Sequence, residues 1–481
     1  MPDQVRSGLP LPNRWKILPL VLLAPLMGSL DGSIVNVALP TIAKKLGVGL
    51  AGSQWVVSSY LIAISAFILA FGKVADLIGK TRVFLAGFAA FGLGSLLCAL
   101  SWSLPVLIAS RALQAIGAAM FMSSNQGIVA SIFPPQERGR ALGLMGTTVA
   151  VGTMIGPPLG GIMVELFGWQ SLFLINIPIA AFAFIAGYRK LPREEPSGSL
   201  SGFDLLGSGL FALFVVGLFY FLLSGQSAPP SARLPSLGLA IACFACFLFR
   251  EGRSPRPMID LSIFRSGLFS VSVLCVLLVF CATFCVNIVQ PFYLQEALGL
   301  SPSAAGLVLL AAPLASGLAA PFSGYLADRF GAERLTVVGL SIVAVALALM
   351  SFLGADSGLG LAVASLAIFG LGQGVFGSPN TKLIMAHAPQ DKLGIAGSIN
   401  ALARNMGMVS GIALSVSVLY GVMSGMLGRR VSAFVPERPD AFVAGMHAAF
   451  WAASALILVT ILLTSLRSLA SRRAALERKL P

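Results

Sequence analysis

The sequence predicts an all-α polytopic membrane protein of fourteen spanning helices, and three observations carry that expectation. The composition is 57% hydrophobic with only 10% charged residues, against about 45–50% and about 25% in soluble domains. The apolar residues run in long continuous stretches, which argues for helices and against a barrel of alternating strands. Lys and Arg collect in alternate connecting segments, as they do on one face of a membrane. A soluble enzyme, a disordered chain and a secreted disulfide scaffold are excluded on these grounds.

At about 20 apolar residues per crossing, the runs give spans near 17–38, 55–75, 83–101, 105–129, 141–165, 171–188 and 204–223. They continue near 234–250, 268–292, 303–327, 335–353, 358–380, 394–424 and 443–467. The first span holds Asp31 and Asn36 and lacks a small-residue cleavage site, so it reads as a retained helix and not a signal peptide. With the N-terminus inside, 24 of the 32 Lys and Arg residues fall on inside segments and six on outside segments. Arg111 and Arg404 lie within spans. That bias predicts cytoplasmic termini and an even helix count. The net charge of +14 is scattered among loops without forming a stripe, so no nucleic-acid partner is expected. The six Cys all lie in apolar runs, and His387 and His447 are far apart in sequence. Neither pattern suggests a metal site.

The chain repeats itself. Residues 72–82 read GKVADLIGKTR and residues 324–334 read GYLADRFGAER, at an offset of 252 residues. Each follows the second helix of a group of six, and the offset leaves room for two additional helices. The expected organisation is a six-helix bundle over 1–203, two linking helices over 204–250, and a second six-helix bundle with a tail over 251–481. Duplicated halves with a site at mid-membrane are a transporter arrangement. Within the loop, Gly72 and Gly79 permit a tight turn, and Asp76 can pair with Lys80 or Arg82. Asp328 and Arg329 stand at the equivalent place in the second copy. In the fifth span, GTMIGPPLGG places Gly152, Gly156 and Gly160 on one face for close helix packing, and Gly161 follows. Pro157 and Pro158 remove hydrogen bonds there and predict a kink.

These motifs resemble those of the major facilitator superfamily, and in particular its fourteen-helix branch of drug:proton antiporters. The 72–82 loop is similar to that family's G-x-L-A-D-x-x-G-R-K-x loop, and RALQAIGAAM (111–120) to its fourth-helix R-x-x-Q-G-x-G motif. The 152–161 segment resembles the G-x-x-x-G-P-x-x-G-G antiporter element. LDGSIVNVALP (30–40) and WQSLFLINIPI (169–179) resemble segments of the fourteen-helix branch. The sequence departs from the pattern at Ala115, at Gln170 and Ser171, at Leu77, and at Ala332 and Glu333. The resemblance implies a major facilitator fold, no enzymatic activity, no cofactor, and an inner-gate role for Gly72, Asp76, Gly79, Lys80, Arg82, Asp328 and Arg329. It also implies proton-coupled efflux of amphipathic or otherwise toxic hydrophobic compounds.

Charges inside a bilayer usually face the bundle interior, since each costs about 2.5–3.5 kcal/mol on insertion scales. Asp31 lies about 13 Å below the outer end of its helix and Arg111 about 9 Å below the start of its own, at 1.5 Å per residue. They lie at similar levels, which allows them to meet across the N-terminal half, as a proton-coupling pair or as a fixed ion pair. A buried carboxylate beside a cation that moves changes its proton affinity with its surroundings. Asn36, Gln114, Met120, Asn176, Asn287, Gln290 and Arg404 are the candidates for lining a substrate cavity. Glu165 and Glu296 fall near helix rims. Trp15, Trp55, Trp102 and Trp169 are placed as interface anchors.

No phosphate-binding loop precedes Lys80, because Val74 stands where its first Gly is required. The expected energy source is an ion gradient. One charge crossing 100 mV yields ~2.3 kcal/mol, enough for a roughly fifty-fold gradient. The expected partners are protons, a small hydrophobic or amphipathic substrate and the lipid bilayer, with the chain acting as a monomer in the inner membrane. Rival readings are a same-fold exporter dedicated to one metabolite or lipid, and a transport-inactive sensor or scaffold.

Overall fold

A computed structural model of the chain describes residues 14–192, 203–225, 229–253, 261–387 and 393–477. The chain termini and residues 193–202 and 254–260, to which a cytoplasmic side is assigned from the sequence, lie outside these residues. Fourteen helices among the described residues are long and apolar enough to cross a membrane, and the chain is a multi-pass membrane protein.

The first six helices are α1 (Arg14–Leu46), α2 (Leu50–Ile78), α3 (Lys80–Ala99), α4 (Leu104–Ile132), α5 (Pro135–Phe167) and α6 (Ser171–Lys190). The pair α7 (Leu205–Leu223) and α8 (Pro230–Glu251) follows. The last six are α9 (Gly267–Phe292), α10 (Pro302–Phe330), α11 (Ala332–Met350), α12 (Leu359–His387), α13 (Leu393–Leu427) and α14 (Pro439–Glu477). Many helices outrun the apolar runs that mark them. Their polar ends continue the backbone ladder past the hydrocarbon, where hydropathy no longer shows it. α12, for example, runs on through Pro379 to His387. α9 ends in a single π-helical turn, Tyr293–Ala297.

The chain divides into two compact units. The first is formed mainly by residues 52–224 together with 1–48 and 228–259, and it includes α7 and α8. The second is formed mainly by residues 260–481. Inside the first unit α1 packs along α5 and α3 along α4. Inside the second, α9 packs along α13 and α11 along α12. The same pairings recur at helices eight places apart, as an internal duplication requires.

The repeated loop is a repeated turn. Gly79 joins α2 to α3 at φ +102°, and Gly331 joins α10 to α11 at φ +92°. Side chains rarely adopt this backbone region, so Gly at both positions makes the reversal possible in one residue. Asp76 pairs with Lys80 across the first turn at 3.2 Å. In the second copy Ala332 and Glu333 offer no cation, and Asp328 pairs with Lys382 of α12 instead.

The α1–α5 seam shows why the four-residue glycine spacing matters. A Cβ at Gly152 or Gly156 would collide with the hydroxyl of Ser29 or Ser33, and one at Gly160 would lie 2.7 Å from Ile34 Cγ1. Ser33 Oγ donates to the Gly152 carbonyl at 3.3 Å, a contact that only backbone-close approach permits. α5 remains helical through Pro157 and Pro158. At the start of α1 and α5, Arg14 donates to Glu137 at 2.7 and 2.9 Å, and Trp15 Nε1 donates to the same carboxylate at 3.1 Å. The hydrogen bond from Arg14 holds Glu137 below the usual carboxylate range.

Large apolar side chains crowd the outside of both units: Leu93 on α3 and Leu100 just after it, Phe182 and Ile185 on α6, Phe322 on α10, Leu458 and Leu462 on α14. That surface suits lipid and not water. Trp102 is exposed, as an interface anchor is, but Trp169 is 3% exposed and packs edge-on against Phe173. The short turn at Gly168 folds it inward, so burial and not an interface explains its place near a helix end.

Gly156→Ala is expected to destabilise the first unit by about 1–3 kcal/mol through overpacking against Ser33. Adding Ser33→Ala should recover part of the loss, read as the thermal midpoint of the purified protein in detergent.

Candidate functional site

Asp31 sits at the middle of α1 and Arg111 in the second turn of α4, at 0% and 1% exposure. Arg111 Nη1 donates to Asp31 Oδ2 at 2.6 Å. The meeting that their depths allow is therefore observed. The same nitrogen also donates to Gln114 Oε1 at 2.6 Å, while Nε donates to the Val56 carbonyl at 3.0 Å. The guanidinium is further covered by the Tyr60 ring at 4.2 Å and the Phe173 ring at 5.6 Å. Stacking of this kind favours a desolvated cation.

The carboxylate is as fully engaged. Asp31 Oδ1 accepts from Gln114 Nε2 at 3.0 Å and from Asn176 Nδ2 at 3.1 Å. Gln114 Nε2 donates its other hydrogen to Ser95 Oγ at 2.8 Å. Five helices thus contribute: α1 the acid, α2 a carbonyl and a ring, α4 the cation and an amide, α6 a second amide, and α3 the hydroxyl. Gly94 makes the α3 contribution possible, since a Cβ there would lie 2.6 Å from the Gln114 backbone nitrogen. Charge balances inside the cluster and both carboxylate oxygens accept hydrogen bonds, which is how a charge pair is tolerated away from water. Asn176 Oδ1 and the Tyr60 hydroxyl are left without hydrogen-bond partners among the described residues.

Gln114 and Asn176, cavity candidates by sequence, are instead buried at 0% and 1% as ligands of Asp31. Spacing along α4 puts Gln114 one turn from Arg111, but only the α1–α4–α6 packing shows that its amide faces the acid. Asn36 is 8% exposed with its Oδ1 unbonded, and Met120 is half-buried. Asn287 is half-buried, and Gln290 is fully buried with neither amide atom hydrogen-bonded. Glu165 and Glu296 are exposed.

The second unit contains a recess of about 250 Å³. Arg404 of α13 lines it, with Asn400 one turn earlier, Gln373 and Asn380 of α12, Thr283 of α9 and Ser316 of α10. Gln373 Nε2 donates to Thr283 Oγ1 at 2.8 Å. Of the sequence-based cavity candidates, Arg404 alone lines this recess. Asn287 and Gln290 lie on the same helix as Thr283 but not on its wall. Thr283, Ser316 and Thr381 carry no sequence signal, because hydroxyls that bond their own helix are common along apolar spans.

Of the loop residues, Gly72 is half-buried and Asp76, Arg82, Asp328 and Arg329 are exposed. Lys80 is half-exposed, and its stem lies over Gly127 of α4, where a Cβ would stand 2.6 Å from Lys80 Cδ. Gly161 is buried beside the α1–α5 seam. No group of three or more His, Cys, Asp or Glu that could hold a metal occurs among the described residues.

Residues 21–409 and 272–479 match the Major Facilitator Superfamily. The chain belongs to this family. It is 35% identical over 453 residues to the riboflavin transporter RibZ of Clostridioides difficile (strain 630), covering 94% of this chain and 97% of that protein. It is 33% identical to the multidrug resistance protein Stp of Mycobacterium tuberculosis, covering 88% and 80%. It is 32% identical to the tetracenomycin C resistance and export protein of Streptomyces glaucescens, covering 86% and 77%. A crystal structure of a peptide transporter POT in complex with sulfate is similar in fold, with TM-score 0.70 at 15% identity, covering 97% of this chain and 98% of that one. The chain is a transport protein and not an enzyme.

Arg111→Leu is expected to destabilise the protein by about 3–5 kcal/mol, because it leaves the Asp31 carboxylate buried without its cation. The double variant Asp31→Asn/Arg111→Leu should be more stable than Arg111→Leu alone, as read by thermal unfolding in detergent. Equal stability of the two would show that the pair is not coupled.

Proposed function

We propose that this transporter expels amphipathic or hydrophobic small molecules across the inner membrane in exchange for protons, with Asp31 carrying the proton and Arg111 modulating it. The observation that carries the reading is the Asp31 cluster. Asp31 is the one carboxylate among the described residues that lies at the middle of a spanning helix. As arranged here it accepts from Arg111, Gln114 and Asn176, so its charged form is satisfied. Any shift of α4 or α6 that withdraws those donors strands a charge in apolar surroundings. Taking up a proton removes that penalty, and restoring the donors expels the proton again. A conformational cycle that does this with access first to one side and then the other converts a proton gradient into directed transport.

The remaining motif residues take their roles from the same cycle. Gly72, Asp76, Gly79, Lys80 and Arg82, with Asp328 and Arg329, would form inner-gate turns whose ion pairs break and reform. The close seam made by Gly152, Gly156 and Gly160, with Pro157 and Gly161, would keep α5 moving with α1. Protons and the substrate are the expected ligands, and the chain acts as a monomer with both termini cytoplasmic. A second reading, an exporter dedicated to one metabolite, is favoured by the riboflavin transporter among the relatives.

The test is transport in proteoliposomes with an imposed pH step, using matched cationic, neutral and anionic compounds. Wild-type protein should accumulate its substrate up to roughly fifty-fold per coupled proton at 100 mV, without ATP. Asp31→Asn should bring accumulation toward unity while leaving downhill exchange. Undiminished proton release on substrate addition to purified Asp31→Asn protein would move the proton to another group. Transport of a single compound out of the panel would favour the dedicated exporter.

Topology is checked with single cysteines in a background lacking the native ones. In intact cells an impermeant thiol reagent should label Ser432→Cys and leave Arg253→Cys unlabelled. The reverse pattern would invert the assigned orientation.

A further inference from the structure

We propose that the second unit carries a subsite for an anionic group, centred on Arg404, and that the compounds this transporter accepts bear a carboxylate or comparably acidic group on an apolar body. Its use in transport rests on the export reading above; its binding chemistry does not.

Arg404 lies eleven residues into α13, about 16 Å along the helix from Leu393 at 1.5 Å per residue. A cation at that depth is costly unless something compensates it. Arg111 shows what compensation looks like in this protein: three donated hydrogen bonds, one of them to a carboxylate. Arg404 has no carboxylate and no hydrogen-bond acceptor among the described residues, and its contact is the Phe280 ring at 5.8 Å. Arg467, a buried guanidinium, donates to Ser272 and lies toward the far end of α14, whereas Arg404 is partly exposed to the recess. Among the acids of the second unit, Asp328 pairs with Lys382 and Asp440 with Arg438.

The walls around Arg404 are built for a polar ligand. Asn380 is 1% exposed, and its Oδ1 has no hydrogen-bond partner. Asn400 Oδ1 is likewise buried and unbonded. An orphaned amide in an apolar setting is destabilising, and two of them beside one free guanidinium point to a ligand that completes all three. The oxygen and nitrogen of an amide exchange places by a flip. Each Asn can therefore donate to an anion or accept from a donor beside it. Asn400 and Arg404 are one turn apart and share a face of α13, while Gln373, Gly377 and Asn380 share a face of α12. Gln373 is fixed by Thr283 and so holds its orientation in advance.

Charge sets the class. No Asp or Glu lines the recess, so its only formal charge is positive. A lipophilic cation would meet repulsion there, whereas a carboxylate gains charge-assisted bonds in fork geometry. Size sets the extent. The recess of about 250 Å³ is smaller than the about 300–1,000 Å³ that whole drug-sized ligands occupy. It therefore holds the acidic head, with Val276, Val279 and Phe376 as the apolar border for the adjoining body.

Two probes that share a fluorophore test this at equilibrium and without a gradient. Dansylglycine carries a carboxylate, and dansylglycinamide is its neutral counterpart. With the full chain in phosphatidylcholine nanodiscs, fluorescence anisotropy should show the anion bound about tenfold or more tightly than the amide. Arg404→Gln should bring the two within about twofold of each other, chiefly by weakening the anion. Arg404→Lys should retain part of the preference, since it keeps the charge but loses the fork. Should Arg404→Gln fail to fold, Asn400→Asp places a carboxylate one turn away and should abolish the preference with the arginine intact. Equal affinities or no binding in the wild type, or a preference that survives both variants, overturns the proposal. Loss of the preference in nanodiscs containing phosphatidylglycerol would mean that a lipid headgroup occupies the site, and this too overturns it. Anion preference without proton-driven flux would defeat the export reading alone; proton-driven flux without anion preference would defeat this inference alone.

Discussion

The organisation of the first unit depends on one constraint: a carboxylate and a guanidinium placed inside the membrane must satisfy each other and nearly every remaining donor and acceptor. Asp31 and Arg111 meet that demand only because five helices converge on the pair. α3 must come close enough for Ser95 to reach Gln114, and α6 must present Asn176 at the right height. The requirement is stringent because the cost of failure is high. An unpaired charge here is worth several kcal/mol, a large part of the stability margin of about 5–15 kcal/mol typical of native proteins.

Close helix approach is the means by which that convergence is reached. Without a hydrophobic drive between helices in lipid, packing quality decides which faces meet. The glycines of α5 let it lie against the backbone of α1, and those of α3 and α4 do the same for a second pair. In the second unit, Gly407 and Gly411 of α13 lie against the α9 backbone in the place that α5 occupies along α1. The duplicated units therefore repeat their seams but not their charges. The first encloses a neutral, internally satisfied pair. The second contains a guanidinium that nothing in its own recess neutralises.

That difference bears on what the protein recognises. In the proposed cycle a buried, charge-balanced site responds to protons and to helix movement, not to substrate charge. A free cation flanked by unsatisfied amides selects by charge directly. Breadth toward the apolar body and discrimination at the head are compatible, since a wall of Val and Phe imposes little geometry while a guanidinium fork imposes much.

The sequence by itself determined the helix count, the duplication and the family. Each of these is written in patterns that are local along the chain: runs of about 20 apolar residues, a turn motif repeated at a fixed offset, and glycines spaced by four. It also placed Asp31 and Arg111 at similar levels, because depth along a helix follows from residue count alone; that their side chains face each other was decided by packing. Which amides serve that pair and which face open space was decided only by tertiary structure. Gln114 and Arg404 look alike in sequence, each a polar residue within an apolar run, yet one is a buried ligand of an acid and the other the wall of a recess. The inward stripe of a spanning helix is weakly marked when its outer face must also be apolar. Rotation about the helix axis is therefore fixed by contacts with neighbouring helices and not by hydropathy.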